Sequence, residues 1–279
     1  ASCANLTGQT SGATNAGTGS NVTGIGNTAW TNTSNIISDN NQYATATLPN
    51  ASAISNYLSA TNYSFSIPAN ATINGIQLVI SRFSSAVSGF VRIRDNEVRI
   101  IKGGSVVGTN KSNAGVNWPS AEGTFTYGGA ADLWGTTWTA SEINASNFGS
   151  ALSILNATGT GSSYTASVDY MQITITYTIP GSIEWFTASS GGSSVQSGTP
   201  FFPVNDPQVI AAGGSFANLA NTNTPGTYTF YAECNSNAGC RTATNFIIKT
   251  PPTASCSHTD VSCAGATDGT ASVTAGAGN

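Results

Sequence analysis

The chain has 279 residues, a formal net charge of −4 and only 7% charged residues, against about 25% in an ordinary soluble domain. Its pI of about 4.7 argues against the basic face that nucleic-acid binding needs. No apolar run reaches the roughly 18 residues of a membrane span. The 5 Trp, 9 Tyr and 11 Phe exclude a disordered chain, because disorder requires high net charge and few aromatic residues.

The first segment, residues 1–26, is rich in Gly, Ser, Thr and Asn and has almost nothing to bury. In isolation this composition predicts a flexible arm, which could still be ordered by lying on another surface. The chain opens at Ala1 rather than at a methionine, so we expect that an export signal has been removed.

Residues 27–179 alternate Val, Ile, Thr, Tyr and Phe with small polar residues, in runs separated by Gly, Asn and Pro. About eight to ten such runs predict an all-β, jelly-roll-like β-sandwich. The run "GFVRIRDNEVRII" (Gly89–Ile101) predicts a hairpin, because its alternating pattern stops at Asp95-Asn96 and then resumes.

A Pro-Gly break opens a second unit, residues 180–250. Its segment "PGTYTFYAEC" places Tyr228 and Phe230 on one face ahead of a cysteine, which suits the penultimate strand of an immunoglobulin-like sandwich. We therefore expect a small immunoglobulin-like domain with short or missing strands. Residues 251–279 are interpreted as a Pro-containing linker and the start of a third β module, because Asp268-Gly269 forms a turn before an alternating run.

Five cysteines are present, and their spacing does not match the short C-x2-C pairs of zinc sites. The simplest pairing is two local disulfides, Cys234–Cys240 and Cys256–Cys263. Cys3 is then either free or bonded to a partner that spacing does not reveal. Paired cysteines indicate an oxidising, extracellular compartment.

Oxygen-rich loops make calcium the one cofactor to consider. "SDNNQ" contains Asp39 and "RDNE" contains Asp95, but neither matches the calcium-loop spacing D-x-[DN]-x-[DN]-G. The single histidine, His258, lies between Cys256 and Cys263, which is a poor position for the base of a Ser-His-Asp triad. We therefore expect a non-catalytic chain.

Arg92 and Arg94 lie close in sequence to Arg82 and Arg99, which together make half of the eight basic residues. This grouping predicts one of two arrangements. It can form an anion or acidic-glycan patch, or a solvated sheet face whose arginine stems cover apolar surface.

Trp118, Trp134 and Trp138 lie in the loop-like contexts "VNWPSAEG" and "DLWGTTW". An exposed tryptophan can stack on a sugar ring, whereas a buried one packs in the core. Both interpretations stay open at this point, and a glycan is the ligand that the first one implies.

The tail resembles the opening of the SprB-type repeat of large gliding-motility adhesins, on Cys256, Cys263, Gly265, Asp268-Gly269 and Ala271–Ala275. The second unit, with "IEWFTASSGGSSVQSGTPFFP" and "PGTYTFYAECNSNAGCRT", resembles immunoglobulin-like modules of Bacteroidetes surface proteins. The first domain, with "SIPANATINGIQLVI" and "NASNFGSALSI", resembles a β-sandwich module of secreted bacterial and phage surface proteins that has no fixed activity.

These resemblances imply the N-terminal part of a large cell-surface adhesin, exported by the type 9 secretion system and used in surface attachment or gliding motility. Its implied partners are the secretion or motility machinery and a surface ligand such as a glycan. The alternative is a carbohydrate-binding region of a larger secreted polysaccharide hydrolase.

Overall fold

A computed structural model describes residues 3–86, 90–157 and 161–276. The chain divides into a first unit, Leu6–Pro180, and a second unit that joins Ala1–Asn5 to Gly181–Asn279. Strands dominate both units, which confirms the predicted all-β fold. Over the described ranges, no helix is long and apolar enough to cross a membrane.

The first unit contains two antiparallel sheets. In the first sheet, β11 pairs with β1, β2, β4 and β6, and β6 also pairs with β9; the second sheet has the order β3-β5-β10-β7-β8. The strands of the described residues are β1 (Leu6–Thr10), β2 (Thr14–Asn15), β3 (Thr18–Val22), β4 (Ala44–Leu48), β5 (Tyr57–Thr61), β6 (Thr72–Ser84), β7 (Ile93–Lys102), β8 (Ser105–Val107), β9 (Gly123–Gly129), β10 (Gly149–Asn156) and β11 (Tyr164–Ile179). A 3-10 helix (Thr33–Ile36) and the helix α1 (Ala140–Asn144) complete the unit.

The two sheets form a sandwich around one apolar core. Alternate residues of a strand point to opposite faces, and on β6 Ile76, Leu78 and Ile80 are fully buried. Leu152 and Ile154 of β10 belong to the same core cluster from the other sheet. Burying each such side chain stabilises the fold by about 1.5–3 kcal/mol.

The expected flexible arm is instead three strands of the sandwich. Leu6 of β1 pairs with Ile179 of β11, and β3 pairs along the whole of β5. The segment lacks apolar residues to bury, but its backbone N–H and C=O groups complete the sheets, and that hydrogen bonding orders it. Composition alone does not reveal this contribution.

The predicted hairpin at Asp95-Asn96 is wrong. Residues 93–102 form one continuous strand, β7, which pairs with β10. Ser153 lies opposite Glu97 while Ile154 lies opposite Asp95, so Asn96 is the extra residue of a β-bulge. A bulge shifts the inward-facing positions by one residue, and this shift gave the false appearance of a turn.

The second unit packs one four-stranded sheet, in the order β13-β12-β14-β15, against short helices. Tyr228 and Phe230 of β14 are buried against Val209 and Leu219, which lie in the helical segments. In the described residues those helices occupy the place of the second sheet of an immunoglobulin-like sandwich. The elements are β12 (Ile183–Phe186), β13 (Gln196–Ser197), α2 (Pro207–Ala211), a 3-10 helix (Gly214–Ala220), β14 (Gly226–Cys234) and β15 (Thr242–Ile248).

The tail forms a two-stranded hairpin, β16 (Ala254–Thr259) and β17 (Thr270–Ala275). The expected strand after Gly269 is present, but the turn lies at Ala264-Gly265 and not at Asp268-Gly269. Every residue of both strands is exposed, with Val273 at 70% exposure. An isolated hairpin of this kind has little apolar surface to stabilise it.

Candidate functional site

The three tryptophans proposed as sugar-stacking residues are buried. Trp118, Trp134 and Trp138 are 2%, 0% and 9% exposed. Each indole N–H also donates to an internal acceptor: the Asp95 carboxylate, the Ile76 carbonyl and the Leu133 carbonyl, respectively. The sugar-stacking interpretation is therefore wrong for these residues, and they belong to the core.

The four arginines do not form one basic patch. Arg82 points into the core and pairs with Asp95, and Arg99 pairs with Glu97 on its own strand (Nε to Oε2, 2.7 Å). The remaining two, Arg92 and Arg94, are half-buried. Arg94 Nε donates to the Asn117 side chain (2.7 Å). The Arg92 guanidinium lies over the Phe90 ring. These separate contacts rule out the acidic-glycan patch, which was one of the two arrangements left open by the sequence.

Asp95 is not available to calcium. It is 1% exposed and pairs with Arg82, while the Trp118 indole and the Tyr127 hydroxyl donate to it at 2.8 Å each. The backbone N–H of Asn113 donates to it as well (3.0 Å). Across the described chain, no group of three or more His, Cys, Asp or Glu side chains is arranged to hold a metal ion.

The cysteine pairing differs from the prediction. Cys3 is bonded to Cys234, and Cys240, Cys256 and Cys263 are free and exposed. The N-terminal segment runs beside Gly181, whose backbone N–H donates to the Asn5 side chain (2.9 Å).

That position brings Cys3 to the end of β14, because Cys234 is paired with Ile183 just beyond Gly181. Cys256 lies within β16 and Cys263 lies in the loop between β16 and β17, and the predicted bond between them is not formed.

The outer face of the first sheet carries a group of acidic and aromatic side chains. We call it the carboxylate–tyrosine cluster. It consists of Asp39, Tyr43, Phe83, Glu122, Asp169 and Tyr170.

A bulge in β11 positions two members of the cluster. The register between β11 and β6 slips between Val168 and Met171, so Asp169 and Tyr170 occupy the bulge and are redirected towards the outer face. Phe83 reaches the same face from β6, because it alternates with the inward-facing residues on either side of it.

Hydrogen bonds fix the geometry of the cluster. The Tyr43 hydroxyl donates to Glu122 Oε2 (3.1 Å), and the Ser81 hydroxyl donates to Glu122 Oε1 (2.5 Å). The Tyr43 ring meets the Phe83 ring edge-on, with centroids 5.0 Å apart and an interplanar angle of 83°. This aromatic arrangement is a favourable one, so Tyr43 is held in place at both its ring and its hydroxyl.

Asp169 is fully buried beneath the segment that precedes β4. The backbone N–H groups of Asn40 and Asn41 donate to its two oxygens at 3.4 and 3.3 Å. The pKa of Asp169 is raised above its ordinary value. Burial is the largest cause, and the charge of Glu122 and a hydrogen bond with Asp39 act in the same direction. The two backbone N–H donors lower the pKa but do not reverse the shift.

The cluster carries negative charge without a matching cation. Burial and the carboxylates Asp39, Glu122 and Asp169 raise the pKa of Tyr43 and of Tyr170. Among the ion pairs of the described residues, none involves these three carboxylates. Chemically, the cluster can accept hydrogen bonds from hydroxyl groups and offer aromatic rings for stacking.

The raised pKa of Asp169 predicts a specific pH dependence. A carboxyl whose folded pKa lies above its ordinary value of about 3.9 stabilises the fold below that value, and loses this contribution as pH rises through the folded pKa. The asparagine side chain of Asp169→Asn does not ionise, so this pH-dependent loss is absent from the variant. We therefore expect the free energy of unfolding of the variant, relative to that of the unmodified chain, to be higher at about pH 7 than at about pH 4. Urea unfolding midpoints at these two pH values measure the difference.

Glu97→Gln serves as the matched control with the opposite sign. Hydrogen bonds from Arg99 and Tyr57 lower the pKa of Glu97, so its contribution is present above its ordinary pKa and is lost as pH falls through the lowered value. We expect this variant to lose about 1 kcal/mol or less at pH 7. If both variants shift in the same direction with pH, the electrostatic description of the cluster is incorrect.

Sequence reasoning missed most of this cluster. Asp39 was considered as a calcium ligand, but its association with the tyrosines was not foreseen. The one signal in the sequence is a break in alternation within "ASVDYMQITITYT", where Val168 and Met171 are both buried although three positions apart. That break marks the bulge carrying Asp169 and Tyr170.

Comparisons with known proteins are sparse. No protein-family description matches the chain. No curated protein matches it either. A solved chain described as "CBM4 structure and function" aligns with a TM-score of 0.30 and 11% identity, over 58% of this chain and 93% of that one. This likeness is too remote to argue from, so the proposed function rests on the geometry above.

Proposed function

We propose that this chain is a non-catalytic extracellular binding protein and that the carboxylate–tyrosine cluster holds a neutral or cationic glycan. The observation that carries the proposal is the meeting of three carboxylates and three aromatic side chains on one outer sheet face, with no cation paired to the carboxylates in the described residues.

A sugar ring matches this face chemically. Its hydroxyl groups donate to the exposed carboxylates of Asp39 and Glu122 in charge-assisted hydrogen bonds, whereas the buried Asp169 contributes only to the local charge. The C–H faces of the sugar pack on aromatic rings, which present an apolar body beside a polar group. The negative potential of Asp39, Glu122 and Asp169 would repel a uronic acid or a sulfated glycan. The proposed ligand class therefore excludes the acidic glycans that an arginine patch would have favoured.

In its wider setting, we propose that the chain is the N-terminal region of a Bacteroidetes surface adhesin of the gliding-motility kind, exported by the type 9 system. Support comes from the resemblance of the segments around Cys256 and Cys263, and from the Cys3–Cys234 disulfide, a bond that persists in oxidising compartments. Sequencing the downstream coding region tests this setting. Long arrays of repeats favour an adhesin, and a hydrolase domain favours the alternative, a carbohydrate-binding region of a secreted hydrolase.

The binding proposal is tested on a glycan array probed with the full 279-residue chain. We expect binding to at least one neutral or amino-sugar polysaccharide and a roughly 10–100-fold loss of affinity in Tyr43→Ala, because a buried aromatic contact of this kind contributes about 1.4–2.7 kcal/mol. Affinity is then measured by calorimetry with the glycan that the array identifies.

Tyr57→Ala is the matched control for Tyr43→Ala. Tyr57 lies on β5 of the opposite sheet and its hydroxyl also donates to a carboxylate, that of Glu97. We expect this variant to bind as the unmodified chain does. Equal losses in both variants, or binding only to acidic glycans, would contradict the proposal.

A further inference from the structure

A cavity of about 310 Å³ opens in the first unit, away from the outer-face aromatic rings. It lies between the edge strand β9 and residues 111–113. Its lining includes Arg82, Lys111, Asn113, Phe125, Thr126 and Tyr127. A volume at the lower end of the range for ligand sites suits one small ring rather than an extended oligomer.

Arg82 gives the cavity a specific polar group. The residue is 2% exposed, and its guanidinium lies 4.2 Å from the Phe125 ring centroid and 4.5 Å from that of Trp118. One terminal nitrogen pairs with Asp95. The Nε atom, however, is buried and has no acceptor among the described residues. A buried donor left without an acceptor costs about 1–3 kcal/mol. A small shift of the Arg82 side chain that exposes Nε to an acceptor atom in the cavity would therefore be favourable.

The charges around the cavity determine the ligand class. Arg82 is balanced by Asp95, and Lys111 Nζ is balanced by Asp132 Oδ2 at 2.7 Å. Both cations of the lining therefore already have an anionic partner, and burying a further anion would require desolvation without a free counter-charge. An uncharged acceptor, such as a hydroxyl, ring or carbonyl oxygen, can accept a hydrogen bond from Arg82 Nε without the desolvation cost of burying a charge.

We propose that this cavity binds one neutral sugar residue, with an oxygen of the ring accepting from Arg82 Nε and a C–H face against Phe125. Lys111, Asn113 and Thr126 offer further polar groups at the cavity wall. The proposal rests on the proposed function for its ligand class, but it places the residue at a site distinct from the carboxylate–tyrosine cluster. It makes the first unit a module with two sugar contacts rather than one.

The test follows the Arg82 Nε–H and Trp118 Nε1–H signals in proton–nitrogen NMR spectra of the full chain. Glucose, galactose, mannose and N-acetylglucosamine are titrated separately to tens of millimolar, with sodium acetate and sodium phosphate as anionic probes. We expect one of the sugars to shift both signals with millimolar half-saturation, and the two anions to leave them unchanged.

Two serine substitutions locate the site. Ser112→Phe adds a ring at the cavity wall and should weaken the response at least tenfold. Ser120→Phe adds the same ring at an exposed residue outside the lining and should leave the response intact. Arg82 itself is not substituted, because losing it would endanger the fold.

Several results would overturn the inference. They are the absence of any sugar response, a response to acetate or phosphate alone, and equal responses in the two serine variants. None of these depends on Tyr43, so the cavity can fail while glycan binding at the carboxylate–tyrosine cluster holds. Conversely, a Tyr43→Ala variant that binds polysaccharide normally would refute the cluster and leave the cavity result standing.

Discussion

Replacing Asp95 with alanine is expected to lower the free energy of unfolding of the first unit by about 3–5 kcal/mol, because it leaves a buried arginine without its counter-charge. The Arg82 guanidinium is enclosed by Trp118 and Phe125, so water cannot readily replace the lost carboxylate. The change also removes the acceptor of the Trp118 indole and of the Tyr127 hydroxyl. For a unit of this size the melting temperature should fall by roughly 10 °C.

Asp132→Asn is the matched control for this prediction. Asp132 also forms an ion pair, with Lys111, but both side chains are 29% exposed. An ion pair at that exposure contributes about 0–1 kcal/mol. Guanidinium unfolding with amide exchange read out on β6 and β11 measures the first unit separately. If Asp95→Ala and Asp132→Asn lowered the free energy of unfolding equally, the buried Arg82–Asp95 pair would contribute no more to stability than the exposed Lys111–Asp132 pair.

A double replacement separates lost charge pairing from lost packing. In Arg82→Met with Asp95→Leu, no charge remains unpaired, and buried ion pairs exchanged for apolar side chains of similar volume are often close to neutral. We expect the double variant to be more stable than Asp95→Ala. Both variants lack the hydrogen bonds from Trp118 and Tyr127 to the Asp95 carboxylate, so a double variant that is no more stable would show that the unpaired Arg82 charge is not what destabilises Asp95→Ala.

Removing the disulfide by Cys3→Ser is expected to destabilise the second unit by about 3–4 kcal/mol and to leave the first unit unchanged. The bonded cysteines are 231 residues apart. The folded first unit, however, holds its own ends together where Leu6 pairs with Ile179. The loop that the disulfide closes in the unfolded second unit is then on the order of 60 residues, which corresponds to about 4 kcal/mol of chain entropy.

Cys240→Ser distinguishes this pairing from a local one. Cys240 is free and exposed, so its replacement by serine should not change the unfolding of either unit. Amide exchange of β14 and β15 in the two variants provides the measurement. A loss of stability in Cys240→Ser as large as that in Cys3→Ser would instead support a local Cys234–Cys240 bond.

Alternation predicted most of the fold, since inward-facing residues such as Ile173 and Phe230 are buried as their patterns require. It failed where one strand contains an extra residue. At Asn96 the resulting shift in phase imitated a turn, although the strand continues through it. Periodicity gives the face on which a residue lies only as long as the register is uninterrupted.

Contacts between residues distant in sequence were beyond prediction for a different reason. Asp169 accepts a hydrogen bond from the backbone N–H of Asn41, which lies 128 positions earlier in the sequence. Cys3 meets Cys234 only because the N-terminal segment returns beside Gly181. Such pairs depend on the order in which strands join a sheet, and spacing along the chain carries no record of that order.

If the outer face of the first sheet contacts the glycan, aromatic proton–carbon NMR spectra of the full chain should show it when recorded with and without the glycan found on the array. We expect shifts of the Tyr43, Phe83 and Tyr170 ring signals and none of the Tyr57 ring. Shifts confined to Tyr57, or a cluster whose signals stay fixed while the glycan binds, would contradict this expectation.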